Sequence, residues 1–346
     1  MGFTEWTNAV AARPRFRGHY QPHLPADLGF YDLRVAETRA AQAAMAAEYG
    51  IHGFCYYHYW FNGVRLLHRP LDEVLAAGEP DFPFMLCWAN ESWSRTWEGA
   101  NTDVLIEQTY DTNDDRVHIR ALLTAFADPR YIKVRGCPVF LVYNASALPD
   151  PWSTTRIWRA EAQRAGFPDL YLCRVESHAA GRVDPYDVGF DAAVEFMPDV
   201  SRLRRPVGPR SRPGKLLRRL IRPDSPFRTN FVFEYDDVVS EALSQLSPPY
   251  LRFRCVMPSW DNSARRKHGA FIFRGSTPAK YYGWLRETVM TFEPPSPEED
   301  LVFTNAWNEW AEGNHLEPDQ RWGRAYLEAH RCAMGHASRR LRGSCE

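Results

Sequence analysis

Short apolar segments alternate with amphipathic segments along most of the chain. The apolar segments are rich in β-branched and aromatic residues, which is typical of buried strands, and they cover residues 50–60, 82–90, 138–144, 170–177, 191–196, 253–260 and 301–307. Helical periodicity lies between them, at residues 35–49, 70–77, 114–127, 153–165, 236–246, 278–291 and 321–334. Strands that alternate with helices predict a parallel sheet whose helices pack on the outside.

Most of the predicted strands end in a cluster of polar and aromatic residues. Because the runs are almost wholly apolar, both faces of the sheet are expected to be buried. Clusters after nearly every strand indicate a (β/α)8 TIM-like barrel, whereas a doubly wound sheet concentrates such residues at one switch point. We therefore predict an α/β barrel as a single domain over residues 1–335, followed by a tail at 336–346, with the eighth strand missing from the count.

Charge and composition give no sign of a nucleic-acid or membrane partner. Lys and Arg total 42 against 43 Asp and Glu, so no global field would attract a polyanion. No run of about 18 uncharged apolar residues predicts a membrane span, and the N-terminus lacks the apolar core of a signal peptide. The 7 cysteines include no Cys-x-x-Cys pair, which is typical of reduced thiols and predicts a cytoplasmic setting.

The segment TNAWNEWAEG, residues 304–313, carries the first candidate chemistry. Glu309 and Glu312 lie three positions apart after the last predicted strand, so a helical turn would bring their Cβ atoms within about 5–6 Å. Two carboxyl groups this close in an aromatic surrounding raise the pKa of at least one of them, which provides an acid and a base. An acidic pair beside a helix N-terminus would show the same spacing. Strand alternation predicts that Asn305, Trp307 and Glu309 share one side.

Aromatic and polar residues also follow three other predicted strands, where they are candidates to stack on and hydrogen-bond a sugar ring. With the residues that flank the glutamates, the candidate sugar contacts are Tyr57, His58, Tyr59, Trp60, Trp88, Asn90, Glu91, Trp93, Trp97, Trp260, Asn262, Asn305, Trp307, Asn308 and Trp310. Each cluster alone could be structural, since histidines and indoles are common inside proteins. Four clusters on one face of a barrel favour a carbohydrate site.

No arrangement of ligands in the sequence predicts a metal or another cofactor. His19 and His23 lie four positions apart, but Pro22 between them argues against a helix that would align two histidine ligands. The chain has no HExxH motif, no glycine-rich phosphate loop and no GxSxG elbow. We therefore expect chemistry that uses side chains alone.

The segment at residues 201–226 interrupts the alternation of strands and helices. It is rich in Arg, Pro and Gly, which predicts a long loop with a short helix on the same face as the site. Two interpretations remain open. The segment is either a solvated loop, or a basic lid that attracts an anionic glycan or a lipid-linked carrier.

Several long motifs carry a family resemblance. They are GFTEWTN, GHYQPHLPADLGFYDLR, YGIHGFCYYHYWFNG, CWANESWSRTWEG, PSWDNSARR and NAWNEWAEGNHLEPD. From Gly2 to Arg331 the chain resembles the WbsX-like family, named glycosyltransferases that are often found with O-antigen or capsule biosynthesis and are grouped with the endo-α-mannosidase-like fold of glycoside hydrolase family 99. The resemblance implies a (β/α)8 barrel. It also implies that Glu309, as the first of the two glutamates, deprotonates a sugar 2-hydroxyl to form an anhydro-sugar, and that Glu312 is the general acid and base.

The start of the chain departs from this family. Related sequences usually begin with an extra strand and loop, resembling AFYLPQFHP, ahead of the GFTEW segment, whereas Met1 and Gly2 precede Phe3 directly here. We expect the missing eighth strand to be this first one. A barrel without it is expected to expose two unpaired strand edges and to be less stable than an N-terminally extended chain.

Three functional hypotheses follow from the sequence. The first is an enzyme that cleaves or transfers glycosidic bonds in a bacterial surface polysaccharide, with Glu309 as base and Glu312 as general acid and base, and without a cofactor. The second is a nucleotide-sugar-dependent glycosyltransferase of lipopolysaccharide biosynthesis, although neither DTNDD nor EYDD makes a convincing metal-binding DxD. The third is a non-catalytic protein that binds glycans in an aromatic groove.

Overall fold

The computed structural model describes residues 4–94, 104–177, 182–203, 206–207 and 225–343, with residues 336–343 described through the backbone. Trp97 and most of the basic segment at 201–226 lie outside the described residues. The predicted tail begins within the last helix, which ends at Gly343.

The strands of the described residues are β1 (Phe54–Phe61), β2 (Val64–Leu66), β3 (Phe84–Trp88), β4 (Trp93–Ser94), β5 (Val104–Ile106), β6 (Lys133–Val134), β7 (Cys137–Val142), β8 (Tyr171–Val175), β9 (Ala192–Val194), β10 (Phe231–Glu234), β11 (Arg252–Val256), β12 (Phe271–Arg274), β13 (Val302–Thr304), β14 (Asn308–Glu309) and β15 (Asn314–His315). Parallel strands form the main sheet in the order β13, β11, β9, β8, β7, β3 and β1, and the antiparallel β2 and β6 pair with β1 and β7. Each parallel strand of this sheet overlaps one of the seven predicted segments.

The helices of the described residues are α1 (Glu5–Ala11), α2 (Ala36–Glu48), α3 (Arg69–Ala77), α4 (Thr112–Ala127), α5 (Pro151–Arg164), α6 (Pro226–Thr229), α7 (Tyr235–Ser244), α8 (Pro278–Thr291) and α9 (Ala325–Gly343). Local signals fix their starts: the Asp111 side chain accepts hydrogen bonds from two backbone amides in the first turn of α4, and Asp150 caps α5 ahead of Pro151. Each of the seven segments of predicted helical periodicity overlaps one of these helices, whereas no periodicity predicts the short α1 and α6. The short helix predicted within residues 201–226 falls on a segment that lies mostly outside the described residues.

The main sheet curls into a half-barrel and does not close within the described residues. Its outermost parallel strands are β13 and β1, and no backbone pairing in the described ranges joins these two strands. Side chains meet across this gap, where the ring centroids of Phe54 and Trp307 lie 5.3 Å apart. The predicted α/β class with a parallel sheet is confirmed, but a complete (β/α)8 barrel is not.

Two aromatic cores hold the helices against the sheet. In the first, between the sheet and α4 and α5, the ring of Trp158 lies 5.8 Å from that of Trp88 and 5.5 Å from that of Phe140. The second packs α7, α8 and α9 against β11 around Tyr235 and Trp284. Burial of a large apolar side chain contributes about 1.5–3 kcal/mol to stability, so these cores fix the strand ends from which the site is built.

In the part of the chain that the structure describes, no helix has the combination of length and apolar character that crossing a bilayer requires.

Candidate active site

The two candidate carboxylates lie on a tight hairpin at residues 308–315, which we call the carboxylate hairpin. Glu309 ends β14, Glu312 ends the 3₁₀ turn that follows, and β14 pairs antiparallel with β15. Gly313 closes the turn at φ +55°, and a Cβ atom there would lie 3.0 Å from the Cβ atom of Asp261. Glycine alone suits both this left-handed backbone and this close approach, so the hairpin is docked tightly against the segment around Asp261.

One guanidinium group binds both carboxylates. Arg265 Nη1 donates to Glu312 Oε1 at 3.0 Å, and Arg265 Nη2 donates to Glu309 Oε2 at 3.2 Å. Because both nitrogens belong to one planar fork, the two carboxyl groups converge on the same point and lie close together. The Glu309 and Glu312 side chains are 27% and 19% exposed, so they are shielded from bulk water and still reachable by a ligand.

A third carboxylate joins this cluster from near the other end of the chain. Glu5, the first residue of α1, places its Oε1 atom 3.4 Å from Arg265 Nη2. The same oxygen accepts a hydrogen bond from the backbone amide of Ala311 at 2.9 Å. The next residue, Trp6, lies with its ring centroid 5.5 Å from that of Trp310. Helix α1 therefore holds the turn of the hairpin in place, and its glutamate adds negative charge beside the candidate pair.

The electrostatics of the cluster favour a proton shared by the two glutamates. Burial, followed by the charge of Glu312, raises the pKa of Glu309 to about 8, against the opposing effect of Arg265. Burial also raises the pKa of Glu312. Burial alone would lower the pKa of Arg265, but the surrounding carboxylates outweigh it and raise that pKa, so the guanidinium stays charged. A pKa of about 8 keeps the Glu309 carboxyl protonated at neutral pH, the state that a general acid requires.

We expect replacement of Glu309 by glutamine to stabilise the folded protein at alkaline pH. Because the pKa of this carboxyl rises from 4.5 to about 8 on folding, its contribution to stability is fully present below pH 4.5 and is lost as the pH rises through about 8. Glutamine does not ionise, so the melting temperature of Glu309→Gln should exceed that of the wild type at high pH, with the difference shrinking towards acid pH. Thermal unfolding from about pH 4 to about pH 9 measures this difference.

The matched control for this measurement is Glu287→Gln, which changes an exposed glutamate of α8 that lies outside the cluster. Its melting temperature should follow that of the wild type across the pH range. A Glu309→Gln variant that behaves in the same way as this control would contradict a raised pKa at Glu309.

A row of aromatic rings runs beside the carboxylates, at the C-terminal ends of the strands. Successive ring centroids are separated by 5.2 Å from Trp93 to Tyr59, 6.4 Å to Tyr57, 6.1 Å to Tyr143 and 5.4 Å to Phe196. The rings come from β1, from β4 and from the loops after β7 and β9. We call these five residues the aromatic row, and flat rings of this kind are surfaces on which sugar faces stack.

The tyrosine hydroxyls of the aromatic row lie near the carboxylates. Burial raises the pKa of Tyr59, and the charge of Glu309 raises it further. Burial likewise raises the pKa of Tyr57, with Glu309 among the contributing groups, and the pKa of Tyr143, with Glu312 among them. All three hydroxyls therefore stay protonated at neutral pH and are able to donate hydrogen bonds to sugar oxygens.

The loop after β3 contributes two of the predicted polar contacts. Asn90 is 1% exposed, and its Nδ2 donates to the carbonyl of Asn144 at 2.8 Å while its Oδ1 accepts from the amide of Asn144 at 2.7 Å. Asn90 therefore ties the ends of β3 and β7 together. Glu91 is exposed, and its Oε1 accepts a hydrogen bond from Asn144 Nδ2 at 3.2 Å.

Three predicted sugar contacts lie on the opposite face of the sheet. His58 Nε2 lies 3.0 Å from His118 Nε2 of α4, and Trp60 Nε1 donates to Asp114 Oδ2 at 2.9 Å. Trp88 is 1% exposed and belongs to the first aromatic core. Side chains alternate between the faces of a strand, so these three face the helices while Tyr57 and Tyr59 face the carboxylates. The structure does not bring His58, Trp60 and Trp88 to the hairpin.

Three further candidates support the backbone near the site. Trp260 is 9% exposed and packs in the second core. Asn262 Oδ1 accepts from the backbone amide of Phe271 at 2.8 Å, and Asn305 Nδ2 donates to the carbonyl of Met197 at 2.6 Å. The amide side chains of Asn262 and Asn305 therefore hydrogen-bond to the backbone of the protein.

The residues that flank the glutamates are arranged around a buried acid, Glu317. Trp310 Nε1 donates to Glu317 Oε2 at 2.7 Å, and the hydroxyl of Tyr31 donates to the same oxygen at 2.7 Å. Asn308 Nδ2 donates to the Tyr31 hydroxyl at 3.0 Å. Trp307 packs against Phe54 at the gap between β13 and β1. These side chains stabilise the hairpin from behind.

The alternation predicted for this segment ends early. Strand β13 ends at Thr304, and the chain turns before β14 begins. Asn305, Trp307 and Glu309 consequently contact three different parts of the molecule. This corrects the expectation that they share one side, and of the three only Glu309 meets the guanidinium of the site.

Four residues of the site are not among those predicted from the sequence: Glu5, Arg265, Tyr143 and Phe196. Glu5 and Arg265 lie in the motifs GFTEWTN and PSWDNSARR, and Tyr143 lies in the strand-like run PVFLVYN. For Glu5 and Arg265, the signal in the sequence was a charged residue inside a motif that also contains tryptophan. The barrel prediction brings the strand-end clusters to one face, but it does not show which charged side chain contacts the glutamates.

A second buried polar cluster lies behind the carboxylate hairpin. His23 Nδ1 lies 2.9 Å from His315 Nε2, and Asp319 Oδ2 lies 3.9 Å from the same His315 nitrogen, an arrangement that could hold a metal ion. Burial lowers the pKa of His23 to about 3 and also lowers that of His315, so both rings are neutral at pH 7. His19, which lies four positions before His23 in the sequence, is not part of this cluster. Its Nε2 atom lies 2.6 Å from Asp261 Oδ2.

Comparison with known sequences gives a match over nearly the whole chain. Residues 1–330 match the family described as glycosyltransferase WbsX. Two relatives, both named WxcX and described as uncharacterized, come from strains of Xanthomonas campestris pv. campestris and are 41% and 40% identical over 337 residues. The match covers 97% of this chain and 47% of each relative, so the chain spans about half the length of these curated relatives.

Comparison with solved structures gives the same fold at low identity. A glycoside hydrolase-like protein has a TM-score of 0.59 at 16% identity, and the match covers 96% of this chain and 99% of that chain. An endo-α-mannosidase of glycoside hydrolase family 99 from Bacteroides thetaiotaomicron has a TM-score of 0.56 at 13% identity, covering 92% of this chain and 84% of that chain. Likeness at this level of identity establishes a shared fold, and function has to be argued from the site.

Proposed function

Because this chain belongs to the WbsX glycosyltransferase family, we propose that it is a carbohydrate-active enzyme. The enzyme cleaves or transfers glycosidic bonds in a bacterial surface polysaccharide, such as an O-antigen, a capsule or an exopolysaccharide. The carboxyl groups of Glu309 and Glu312 carry the reaction, and no metal takes part in it.

One observation carries this proposal: two carboxylates with raised pKa values converge on the fork of Arg265, beside a row of aromatic rings. Glycosidic bond cleavage needs an acid that protonates the leaving oxygen and a second carboxylate that acts as base or nucleophile. The aromatic row offers stacking surfaces for sugar rings next to these groups. Both requirements meet at one place in the fold.

The chemistry follows the route that the resemblance to the endo-α-mannosidase-like proteins implies. A carboxylate takes the proton of the sugar 2-hydroxyl, and that oxygen bonds to the anomeric carbon as the glycosidic bond breaks. The leaving oxygen takes a proton from the second carboxyl group. Water, or the hydroxyl of an acceptor sugar, then opens the anhydro-sugar and returns both carboxyl groups to their starting states. Water gives hydrolysis, and an acceptor gives transfer.

The roles of the two glutamates follow from where the proton resides. The resemblance implies Glu309 as base and Glu312 as general acid and base, whereas the raised pKa of Glu309, about 8, favours Glu309 as the group that holds the proton in the free protein. Glu312 makes the shorter contact with Arg265, which favours its charged form. We therefore propose an acid and base pair in which Glu309 starts protonated, and the order of roles is tested below.

The description of the family favours transfer to an acceptor as the second candidate reaction. A glycosyltransferase would use an activated sugar nucleotide as donor and a growing polysaccharide as acceptor. A third outcome is binding without turnover, in which the aromatic row holds a glycan and the carboxylates serve as hydrogen-bond acceptors only.

A single set of incubations distinguishes these outcomes. The protein is mixed with the surface polysaccharide of its own source organism, and separately with labelled nucleotide sugars plus that polysaccharide. We expect released oligosaccharides in the first mixture as the sign of glycosidic bond cleavage. Incorporation of label from the nucleotide sugar would instead support a nucleotide-sugar-dependent transferase. Binding of the polysaccharide without either product would contradict the proposal.

A further inference from the structure

We propose that His23, His315 and Asp319 form a binding site for a divalent cation of the zinc type, separate from the carboxylates that carry the proposed reaction. The ligand atoms are His23 Nδ1, His315 Nε2 and Asp319 Oδ2, which all lie within 4.8 Å of one another. Two imidazole nitrogens and one carboxylate oxygen are a donor set that Zn²⁺ uses in proteins, with a fourth position left for water.

The hydrogen bond on the far side of His315 fixes which of its nitrogens is available. His315 Nδ1 lies 3.0 Å from the carbonyl oxygen of Glu317. A carbonyl only accepts, so the ring proton is on Nδ1, and Nε2 carries a lone pair directed into the cluster. A backbone carbonyl that holds the second nitrogen of a ligand histidine is a common feature of metal sites, because it fixes the tautomer and the orientation of the ring.

His23 reaches the same point from the opposite side. Its Nδ1 atom lies 2.9 Å from His315 Nε2, so without a cation it donates a proton to that lone pair. With the proton on its other nitrogen, Nδ1 offers a second lone pair to a cation between the rings. Ligands about 2.0–2.1 Å from Zn²⁺ at tetrahedral angles lie about 3.3–3.4 Å apart. The two nitrogens therefore need to separate by only a few tenths of an ångström.

Asp319 supplies the negative charge of the cluster. Its Oδ1 accepts hydrogen bonds from the backbone amides of Arg321 and Trp322 at 3.0 and 2.6 Å, which leaves Oδ2 to face His315 at 3.9 Å. The Asp319 side chain is 4% exposed, so its carboxylate lies inside the protein. A buried carboxylate is costly without a positive partner, and a divalent cation at this point would provide one.

Rings on both histidines hold the ligands in position. Trp310 stacks on His315 with 3.9 Å between centroids and an angle of 14° between planes. Tyr20 meets His23 edge-on at 4.9 Å. The ligands are 9%, 5% and 4% exposed for His23, His315 and Asp319, so a bound cation would be well shielded from bulk water.

The site joins two segments that are distant in sequence. His23 lies in the segment after α1, and His315 lies in β15, directly opposite Asn308 in the carboxylate hairpin. Backbone contacts already link the same segments, since Ala26 donates to the carbonyl of Pro318 at 2.9 Å. A cation bound here would fasten the N-terminal segment to the hairpin and restrain the glutamates without contacting them.

Zinc binding by the whole chain tests this proposal. Protein treated with a chelator and then dialysed is titrated with Zn²⁺, and bound metal is measured by elemental analysis, with affinity from competition against a chromophoric chelator. We expect one Zn²⁺ per chain and a rise in melting temperature when it binds. We expect His23→Gln and Asp319→Asn to weaken binding at least 100-fold, since each removes a ligand while keeping a similar shape.

The control is His330→Gln, which changes a buried histidine of α9 outside the cluster and should bind Zn²⁺ like the wild type. Substitution of Co²⁺ separates this site from adventitious binding at exposed cysteines: tetrahedral absorption without a thiolate charge-transfer band indicates nitrogen and oxygen ligands. Wild-type protein that binds no more Zn²⁺ than His23→Gln overturns the proposal. So does a thiolate signature, even if the polysaccharide reaction proceeds as proposed.

Discussion

Changing either Glu309 or Glu312 to glutamine lowers kcat on the polysaccharide by about 10²–10⁴-fold, the range expected for loss of a general acid or base. Glutamine keeps the size of the side chain and can still accept from Arg265, so the fold and the binding of polysaccharide should remain. The rate of product formation is measured under single-turnover conditions, and polysaccharide binding is measured in parallel. Together they separate loss of chemistry from loss of affinity.

Glu287→Gln is the matched control for both variants, because it removes one carboxylate from an exposed position on α8. It should retain wild-type kcat. If Glu309→Gln and Glu312→Gln both retain kcat as well, the proposed reaction at this pair is wrong, whichever product the incubations show.

Leaving-group dependence assigns the two roles. An aryl glycoside with an activated phenol as leaving group does not need a proton from the enzyme, so the variant that lacks the acid recovers activity on it and the variant that lacks the base does not. Recovery by Glu309→Gln supports Glu309 as the proton donor, in line with its raised pKa. Recovery by Glu312→Gln supports the order implied by the resemblance.

The second large effect is expected at Arg265. Arg265→Met removes the cation that both glutamates share, and Glu5 leaves an additional negative charge beside them. The pKa values of the pair should rise further, so both carboxyls take up protons at neutral pH and the base is lost. We expect kcat/KM at pH 7 to fall by about 10²–10³-fold, as for the removal of one charged group from an active site.

The pH profile distinguishes this cause from a loss of structure. In Arg265→Met the acid limb of the activity profile should move to higher pH, so that part of the lost activity returns under alkaline conditions. Arg265→Lys keeps the charge without the two-nitrogen fork and should lie between the wild type and Arg265→Met. A profile that keeps its shape and only loses height would show that Arg265 positions the hairpin without setting the proton affinity of the pair.

The order of strands and helices could be predicted from the sequence because strands that are buried on both faces consist of continuous apolar runs. The segments containing β3, β7 and β8 are of this kind, and all of them are in the main sheet. The two-stranded sheet of β10 and β12 was not predictable in this way. Its strands, FVFE and FIFR, are short, and they pair with each other away from the main sheet.

The candidate site was less predictable, because position in a strand-end cluster does not determine which way a side chain points. In β1 the alternation of faces separates Tyr57 and Tyr59 from His58 and Trp60, although all four belong to one aromatic run. The two glutamates stand out by their spacing. Their partners do not, since Arg265 and Glu5 meet them only once three remote segments have folded together.

The contact between Glu5 and the amide of Ala311 joins positions 306 apart in the chain. During evolution, a recombination event that exchanged the first segment of the gene for that of a distant homologue would replace one side of this contact and leave the other side unchanged. Descendants that stay active should therefore inherit positions 5 and 265 as a set, because their side chains pair, and an alignment of the family should show these two columns changing together.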